Sequence, residues 1–515
     1  METELKLLIA PADVAAFRRL ALLKQLATSK PVTRLLRNTH FDTPELHLRE
    51  HGMELRVRRV GRVSLQTLKA DGQAVHAGLH RRQEWEARVA GPLPELASLI
   101  ALVGPRSTWK KILAKPGLEQ GLAPIFSSQV RRTVWKLRMA QGAQVEVALD
   151  QGELRHGEKH APISEVELEL KAGTPEAMFD LALQLQELVP LRVGNLSKSA
   201  RGFALQAPVA AAAVMARPVT LNREMCVEDG FRAIVSNCLR HIQDNEAGVA
   251  NGTDPESIHQ MRVGMRRLRS ALRLFASWIP FPAALQHELS WLGSELGAAR
   301  DADVLADCTL PSVIEACPRE VDLLPLGQFA SRVAAVKRQL AAEAVASVRY
   351  SRLMLSLIGW HLAARWHGSL DDAALRALAE PLENRATQIL ARRQQKLIKS
   401  GKRLALGTPD ERHQVRIAAK KARYATEIFQ SLHPTRRVKR YVKRLAALQD
   451  ALGWLNDAAV AERLLHEIEV DHPEVAGSAC FARGYLCAAT THAAPGLTKR
   501  WERFKSLIHL RWQAN

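Results

Sequence analysis

Two kinds of hydrophobic patterning divide the chain. Up to about Leu205, polar and apolar residues alternate in short segments: Glu2-Thr-Glu-Leu-Lys6, Glu54-Leu-Arg-Val-Arg58, Glu84-Trp-Glu86 and Glu165-Val-Glu-Leu-Glu-Leu-Lys171. A period of two predicts strands. Successive strand side chains point to opposite faces, so each segment carries its charges on one side and its apolar residues on the other. Helical interludes are predicted at about residues 11–27, 94–103 and 175–189, each opening near a proline suited to a first helical turn. This half reads as α+β with a largely antiparallel sheet.

After about Leu221 the period changes to that of long helices rich in Ala, Leu and Arg. Between the two patterns, residues 206–218 (QAPVAAAAVMARP) carry no charge before Arg217 and read as a linker. The expected organisation is residues 1–205, a linker at 206–219 and a helical domain at 220–510.

The helical part repeats itself. His259-Gln-Met-Arg262-Val-Gly-Met-Arg266-Arg267-Leu-Arg269 matches His413-Gln-Val-Arg416-Ile-Ala-Ala-Lys420-Lys421-Ala-Arg423 at an offset of 154 residues, 413 − 259. Asp301 and Asp457, each downstream in a similar segment, lie 156 apart, 457 − 301. Two copies of one unit, about 220–370 and 371–510, are expected, packed as two pseudo-symmetric four-helix bundles.

Composition narrows the function. Hydrophobic residues make up 47% and charged residues 24% of the 515, which excludes disordered and collagen-like chains. Six scattered cysteines without a C-x-x-C pair argue against zinc ribbons and disulfide frameworks and fit a reducing cytoplasm. No apolar run approaches the ~20 residues of a membrane span, and Glu2, Glu4 and Lys6 replace any signal-peptide pattern, so membrane insertion and secretion are not expected. A formal net charge of +20 points instead to polyanionic partners: phosphate polymers, nucleic acid or anionic lipid.

Charged faces on ordinary half-exposed sheets simply point at water. Here both signs recur over four or more strands, grouped rather than interspersed, and a sheet that closed on itself would turn those faces into a polar lumen. Carboxylates there would bind a hard divalent cation, and Arg and Lys would hold phosphate oxygens.

Glu2-x-Glu4-x-Lys6, His40-Phe-Asp-Thr-Pro44, Leu55-Arg-Val-Arg58, Thr67-Leu-Lys69, Glu84-x-Glu86, Ser164-Glu-Val-Glu-Leu-Glu-Leu-Lys171 and Leu196-Ser-Lys198-Ser-Ala-Arg201-Gly202, in that order, resemble the CYTH, or triphosphate tunnel metalloenzyme, family over residues 1–205. The resemblance implies a closed antiparallel eight-stranded β-barrel that hydrolyses or rearranges triphosphates with Mg²⁺ or Mn²⁺. Carried over by position, it makes Glu2, Glu4, Glu165 and Glu167 metal ligands, with Glu169 as a possible extra, and Lys6, Arg56, Arg58, Lys69 and Lys198 holders of tripolyphosphate. Alternation in Val130-Arg-Arg-Thr-Val-Trp135 turns only one of two arginines inward, and the spacing to Trp135 favours Arg132. Glu84 and Glu86 would tie down the cations. Glu146 and Asp150 are the remaining metal candidates, with Ala148 between them where many relatives are acidic. Lys6, Glu4 and Glu167 are the catalytic candidates, the proton acceptor being left open among Lys6, a glutamate and metal-bound hydroxide.

In the helical part, His259, Arg262, Arg266, Arg269 and Arg273 form one stripe at spacings of three and four, and His413, Arg416, Lys420 and Arg423 repeat it. These motifs resemble the CHAD domain over residues 220–510, which implies binding of long-chain polyphosphate. Few aromatics, 5%, interleave the basic clusters, so single-stranded nucleic acid is poorly supported, while charge alone leaves duplexes open. The leading expectation is a cytoplasmic inorganic triphosphatase with a polyphosphate-binding module. The alternative is a non-catalytic polyphosphate-binding or granule-associated protein.

Overall fold

Each alternating segment lies in a strand of the computed structural model, which describes the chain apart from residues 1, 62, 72–78, 105, 106, 140, 141, 207–211, 253, 319, 320, 403, 405–408, 434, 435 and 506–515, and apart from the side chains of residues 2, 71, 79–82, 409, 410, 493–495 and 498. The strands are β1 (Glu2–Ile9), β2 (Val32–Asp42), β3 (Met53–Val60), β4 (Val63–Asp71), β5 (Leu79–Val89), β6 (Ala123–Arg138), β7 (Gln144–His156), β8 (Lys159–Ala172) and β9 (Leu191–Val193). They form one antiparallel sheet in the order β5-β4-β3-β2-β6-β7-β8-β1-β9, in which β1 also pairs with β5. Residues 4–8 of β1 face β8, residues 7–9 face β9 and residues 2–5 face β5. The sheet thus has nine strands where eight were expected. Three residues are too few to show a period of two, so β9 escaped the sequence pattern.

Alternation also sets the layers. Leu55 and Val57 of β3, out of phase with Arg56 and Arg58, are buried with Leu68, Leu96, Leu99 and Leu113 in an apolar core. The helical interludes form at 11–26 as three short pieces, at Leu96–Leu102, and as helix α1 (Glu176–Leu188), which buries Met178, Phe179, Leu181 and Leu185.

The other helices of eight or more residues are α2 (Lys198–Gln206), α3 (Val227–Asp244), α4 (Pro255–Phe275), α5 (Ala283–Val304), α6 (Leu324–Val345), α7 (Val348–Leu362), α8 (Leu382–Gly401), α9 (Pro409–Phe429), α10 (Arg436–Asp471) and α11 (Ala476–Lys505). Contacts divide the chain into two units: Met1–Ala210 with Ala346–Ala364, and Ala211–Val345 with Arg365–Asn515. Helix α7, which lies inside the expected helical span 220–510, falls in the sheet unit. Its sequence explains the placement, since ten of its fifteen residues are buried, including Tyr350, Leu353, Met354, Leu357 and Trp360. A helix apolar on most faces is stable only when enclosed. Gly359 of α7 lies against Phe179 of α1, where an added Cβ would sit 3.2 Å from the Phe179 Cβ. The Val193 N–H of β9 donates to Ser351 Oγ at 3.1 Å, and the Gln186 side chain of α1 donates to the Val348 carbonyl at 3.4 Å.

In the helical unit, the first repeat supplies α3 to α6 and the second α8 to α11. The two copies do not keep separate cores. Leu305, Leu310, Val313, Leu326 and Ala334 of the first are buried in one cluster with Ala461, Leu465, Ile468, Ala479 and Ala482 of the second. Val214 of the linker is tied to this unit, because Asn245 donates to its carbonyl and accepts from its N–H, both at 2.9 Å. No helix among the described residues is long and apolar enough to cross a membrane.

Candidate active site and basic helices

The inward positions of the sheet meet around a cavity of about 270 Å³. Strand register sets one wall as rows of side chains. Glu4 of β1, Glu169 of β8 and Glu146 of β7 are neighbours in one row; Lys6, Glu167 and Ala148 form the next; Glu165 and Asp150 follow, with Arg132 of β6 opposite Asp150. Ala148 therefore stands beside Glu167, and the acidic positions of β7 fall one row to either side.

Asp150, Glu165 and Glu167 are buried together, and one oxygen from each lies within 4.8 Å of the others. Each is also held by cations. Lys6 Nζ donates to Glu165 at 2.8 Å and Glu167 at 2.7 Å. Lys198 Nζ, at the start of α2, lies 2.7 Å from both Asp150 and Glu167 and also contacts Glu165. Arg132 reaches Asp150 through two nitrogens, at 2.8 and 2.6 Å, and Glu167 at 2.5 Å. Arg201, from the second turn of α2, adds Glu165 at 3.1 Å.

Burial alone would discharge Lys6, Glu167 and Asp150, and their partners reverse it. Lys6 is pulled down by burial but held above the ordinary lysine range by Glu167, Glu165 and Glu4. Burial would raise Glu167, yet Lys198, Lys6 and Arg132 hold it well below the usual carboxylate range; Asp150 is lowered against burial by Lys198 and Arg132. Lys6, Glu167 and Asp150 thus stay charged, and carboxylate oxygens fit a hard divalent cation.

The facing wall is cationic. Arg56 and Arg58 of β3 and Lys69 of β4 line the cavity with Glu84 and Glu86 of β5. Arg56 and Lys69 approach Glu84 at 3.7 and 3.8 Å. Arg58 donates to Asn38 at 2.7 Å, and burial with Arg56 nearby pulls its guanidinium down to about 9. Of the adjacent arginines, Arg132 enters the cavity and Arg131 is exposed. The Glu2 side chain lies outside the described residues.

Sequence reasoning gave no role to Asn38, His40, Glu54, Ser128, Ser197 and Ser199, which line the same cavity, or to Arg201. Their parity was readable for Asn38, His40 and Glu54, since these sit in phase with Arg56 and Arg58 across β2 and β3. His40 stacks on Phe126, centroids 4.2 Å apart. Burial and the cations Arg56, Arg58, Lys198 and Lys69 keep its imidazole well below its ordinary pKa, so it is neutral.

In the helical unit the two stripes converge where α4 packs on α9. Arg266 donates to Tyr424 Oη of α9 at 3.1 Å, and Arg262 pairs with Asp301 of α5 at 3.5 Å. Gly297 makes room for that guanidinium, because a Cβ there would lie 2.3 Å from an Arg262 nitrogen. Arg269 donates to the Leu289 carbonyl at 2.5 Å, Arg423 pairs with Glu427 at 2.6 Å, and Arg273 is exposed. Lys420 is pulled down to about 8 by burial, Arg416, Arg266 and Arg262, against Asp457. The repeated histidines differ. His259 is half-buried, with its pKa lowered by burial and Arg300, whereas His413 is exposed.

Two families match in the order of these two sites: the CYTH domain over residues 1–203 and the CHAD domain over residues 233–466. The chain is a CYTH–CHAD protein. Among curated relatives, an inorganic triphosphatase of Haemophilus influenzae is 35% identical over 175 residues, 33% of this chain and 46% of that protein. The CYTH–CHAD chain thus matches just under half the length of this relative. Among solved structures, the CHAD domain of the plant Ricinus communis is 40% identical, with a TM-score of 0.52, and the match covers 58% of this chain and 96% of that one.

Proposed function

We propose that this CYTH–CHAD protein is a metal-dependent inorganic triphosphatase that hydrolyses tripolyphosphate to pyrophosphate and phosphate, and that its basic helices bind long-chain polyphosphate. The observation that carries the reading is the single cavity faced on one wall by clustered carboxylates and on the other by Arg56, Arg58 and Lys69. Pairing of β1 with both β8 and β5 supports a closed eight-strand tunnel around it, with β9 appended. The activity of the Haemophilus relative supports the same chemistry.

Breaking a phosphoanhydride with water requires an oriented triphosphate, an in-line nucleophile and neutralisation of the phosphate oxygens. Arg56, Arg58, Lys69 and Arg132 would clamp those oxygens, the arginines in bidentate fashion. Lys6 and Lys198 remain protonated and so serve as charge donors. Glu4, Glu146 and Glu169, with the Asp150, Glu165 and Glu167 trio, would hold Mg²⁺ or Mn²⁺. When bound, that ion supplies Lewis-acid neutralisation of phosphate charge. The carboxylate partners keep the cations oriented before substrate arrives, which reduces the reorganisation the reaction needs.

On the helices, Arg262, Arg266, Arg416 and Lys420 form the centre of the proposed polymer surface, with His259, His413, Arg269, Arg273 and Arg423 extending it. Phosphate release from tripolyphosphate, ATP and thiamine triphosphate with Mg²⁺ or Mn²⁺ tests the enzyme reading. Preferential release from tripolyphosphate is expected, and absence of release from all three contradicts it.

A further inference from the structure

Among the described residues, three side-chain groups of the cavity lining are buried without a hydrogen-bond partner: the Ser199 hydroxyl, on a residue 4% exposed, His40 Nδ1, on a residue 6% exposed, and Arg56 Nε. Native interiors rarely leave such groups unsatisfied, so the hydroxyl and the imidazole mark a place where something else supplies the hydrogen bond. Ser199 is the second residue of α2. Ser197 caps that helix by accepting the Ala200 N–H at 3.0 Å, and its hydroxyl also approaches Glu54 of β3 at 3.5 Å. The capping leaves the N–H groups of Lys198 and Ser199 without intrahelical partners, at the positive end of the helix dipole. Lys198 extends from the same turn to Asp150 and Glu167, so this turn reaches β3, β7 and β8.

We propose that the first turn of α2 is a subsite for the terminal phosphate of a condensed phosphate, with the Ser199 hydroxyl and the N–H groups of Lys198 and Ser199 donating to its oxygens. The number of donors favours a chain end. A terminal phosphoryl group has three non-bridging oxygens and an internal one has two, and the turn offers three donors plus the Lys198 charge. His40, which lines the same cavity as Lys198 and Ser199, offers its unpartnered ring nitrogen there. Anion binding at helix N-termini supplies the physical precedent.

The inference rests on reading the cavity as a condensed-phosphate site, and its test separates the two. Linear tripolyphosphate has two terminal groups, whereas cyclic trimetaphosphate has none. Titration calorimetry of the full chain without divalent metal should show Ser199→Ala weakening tripolyphosphate binding by roughly tenfold, the scale of a hydrogen bond to a charged group. Trimetaphosphate binding should stay unchanged, and Ser199→Thr should restore the tripolyphosphate affinity. Alanine suits a helix, so folding is retained. The basic helices contribute equally to wild type and variant and cancel in the difference. Equal tripolyphosphate affinity in wild type and Ser199→Ala, or equal weakening of both phosphates, overturns the subsite whatever the turnover. Selective weakening in a protein that hydrolyses no triphosphate upholds the subsite and removes the triphosphatase reading instead.

Discussion

The sheet cavity and the helical stripes use the same cationic side chains and differ in what surrounds them. In the cavity, Lys6, Arg132 and Lys198 are each gripped by two or three buried carboxylates from β7 and β8. On the helices, Arg262 meets Asp301 at the looser distance of 3.5 Å, and Lys420 is crowded mainly by other cations. Enclosed and neutralised charge suits a small anion that must be oriented for chemistry. Under-neutralised charge along two helices suits a long anion bound by counterion release. On the proposed functions, counting basic residues would not separate a reaction site from a docking surface; the carboxylates beside them would.

The largest expected effect falls on the cavity. Glu167→Ala removes the carboxylate shared by Lys6, Arg132 and Lys198, and tripolyphosphate turnover should drop by about 100-fold or more, the scale for losing a preorganised electrostatic group. Polyphosphate binding, measured on the same protein, should be retained. Next, reversing Arg262, Arg266, Arg416 and Lys420 to Glu should weaken polymer binding by at least about tenfold and flatten its salt dependence by roughly 0.7 per lost phosphate contact. Tripolyphosphate hydrolysis should be spared. If both activities fall together in a folded variant, the division of labour is wrong.

A smaller effect is expected where α7 joins the sheet unit. Gly359→Leu forces a side chain into Phe179 and should cost about 1–3 kcal/mol, read as a lower melting temperature. A chain ending at residue 210 lacks α7 altogether and should melt lower still. The smallest effect is a pH response. Lys420, held down to about 8, loses its proton as pH rises from 7 to 9, so polyphosphate affinity should fall a few-fold over that range, and Lys420→Arg should flatten the fall. The sign for folding is opposite. The unfolded chain binds the Lys420 proton more tightly, so this residue adds stability as pH rises through 8.

How much was legible follows from the range of each signal. Charge alternation in Glu4-x-Lys6 and in Glu165 to Glu169 is local, so the strands and their charged faces were readable together. The repeat of His259 to Arg269 at 413 to 423 was equally plain. Helix α7 was not, because Tyr350 to Trp360 looks like any apolar helix, and its choice of α1 and β9 as neighbours is a tertiary fact. Ser199 and His40 stood inside quoted motifs, yet their lack of a partner exists only once β2, β6 and α2 are assembled. Ala148 was visible as a departure, and only the strand register showed that it faces Glu167 rather than interrupting an acidic row.

The most direct test of the central claim is phosphate release from tripolyphosphate by the full chain carrying Glu4→Ala, compared with wild type in Mg²⁺ or Mn²⁺. Turnover should be abolished while polyphosphate binding persists. Full turnover by Glu4→Ala would show that the carboxylate wall of the cavity is not where the chemistry happens.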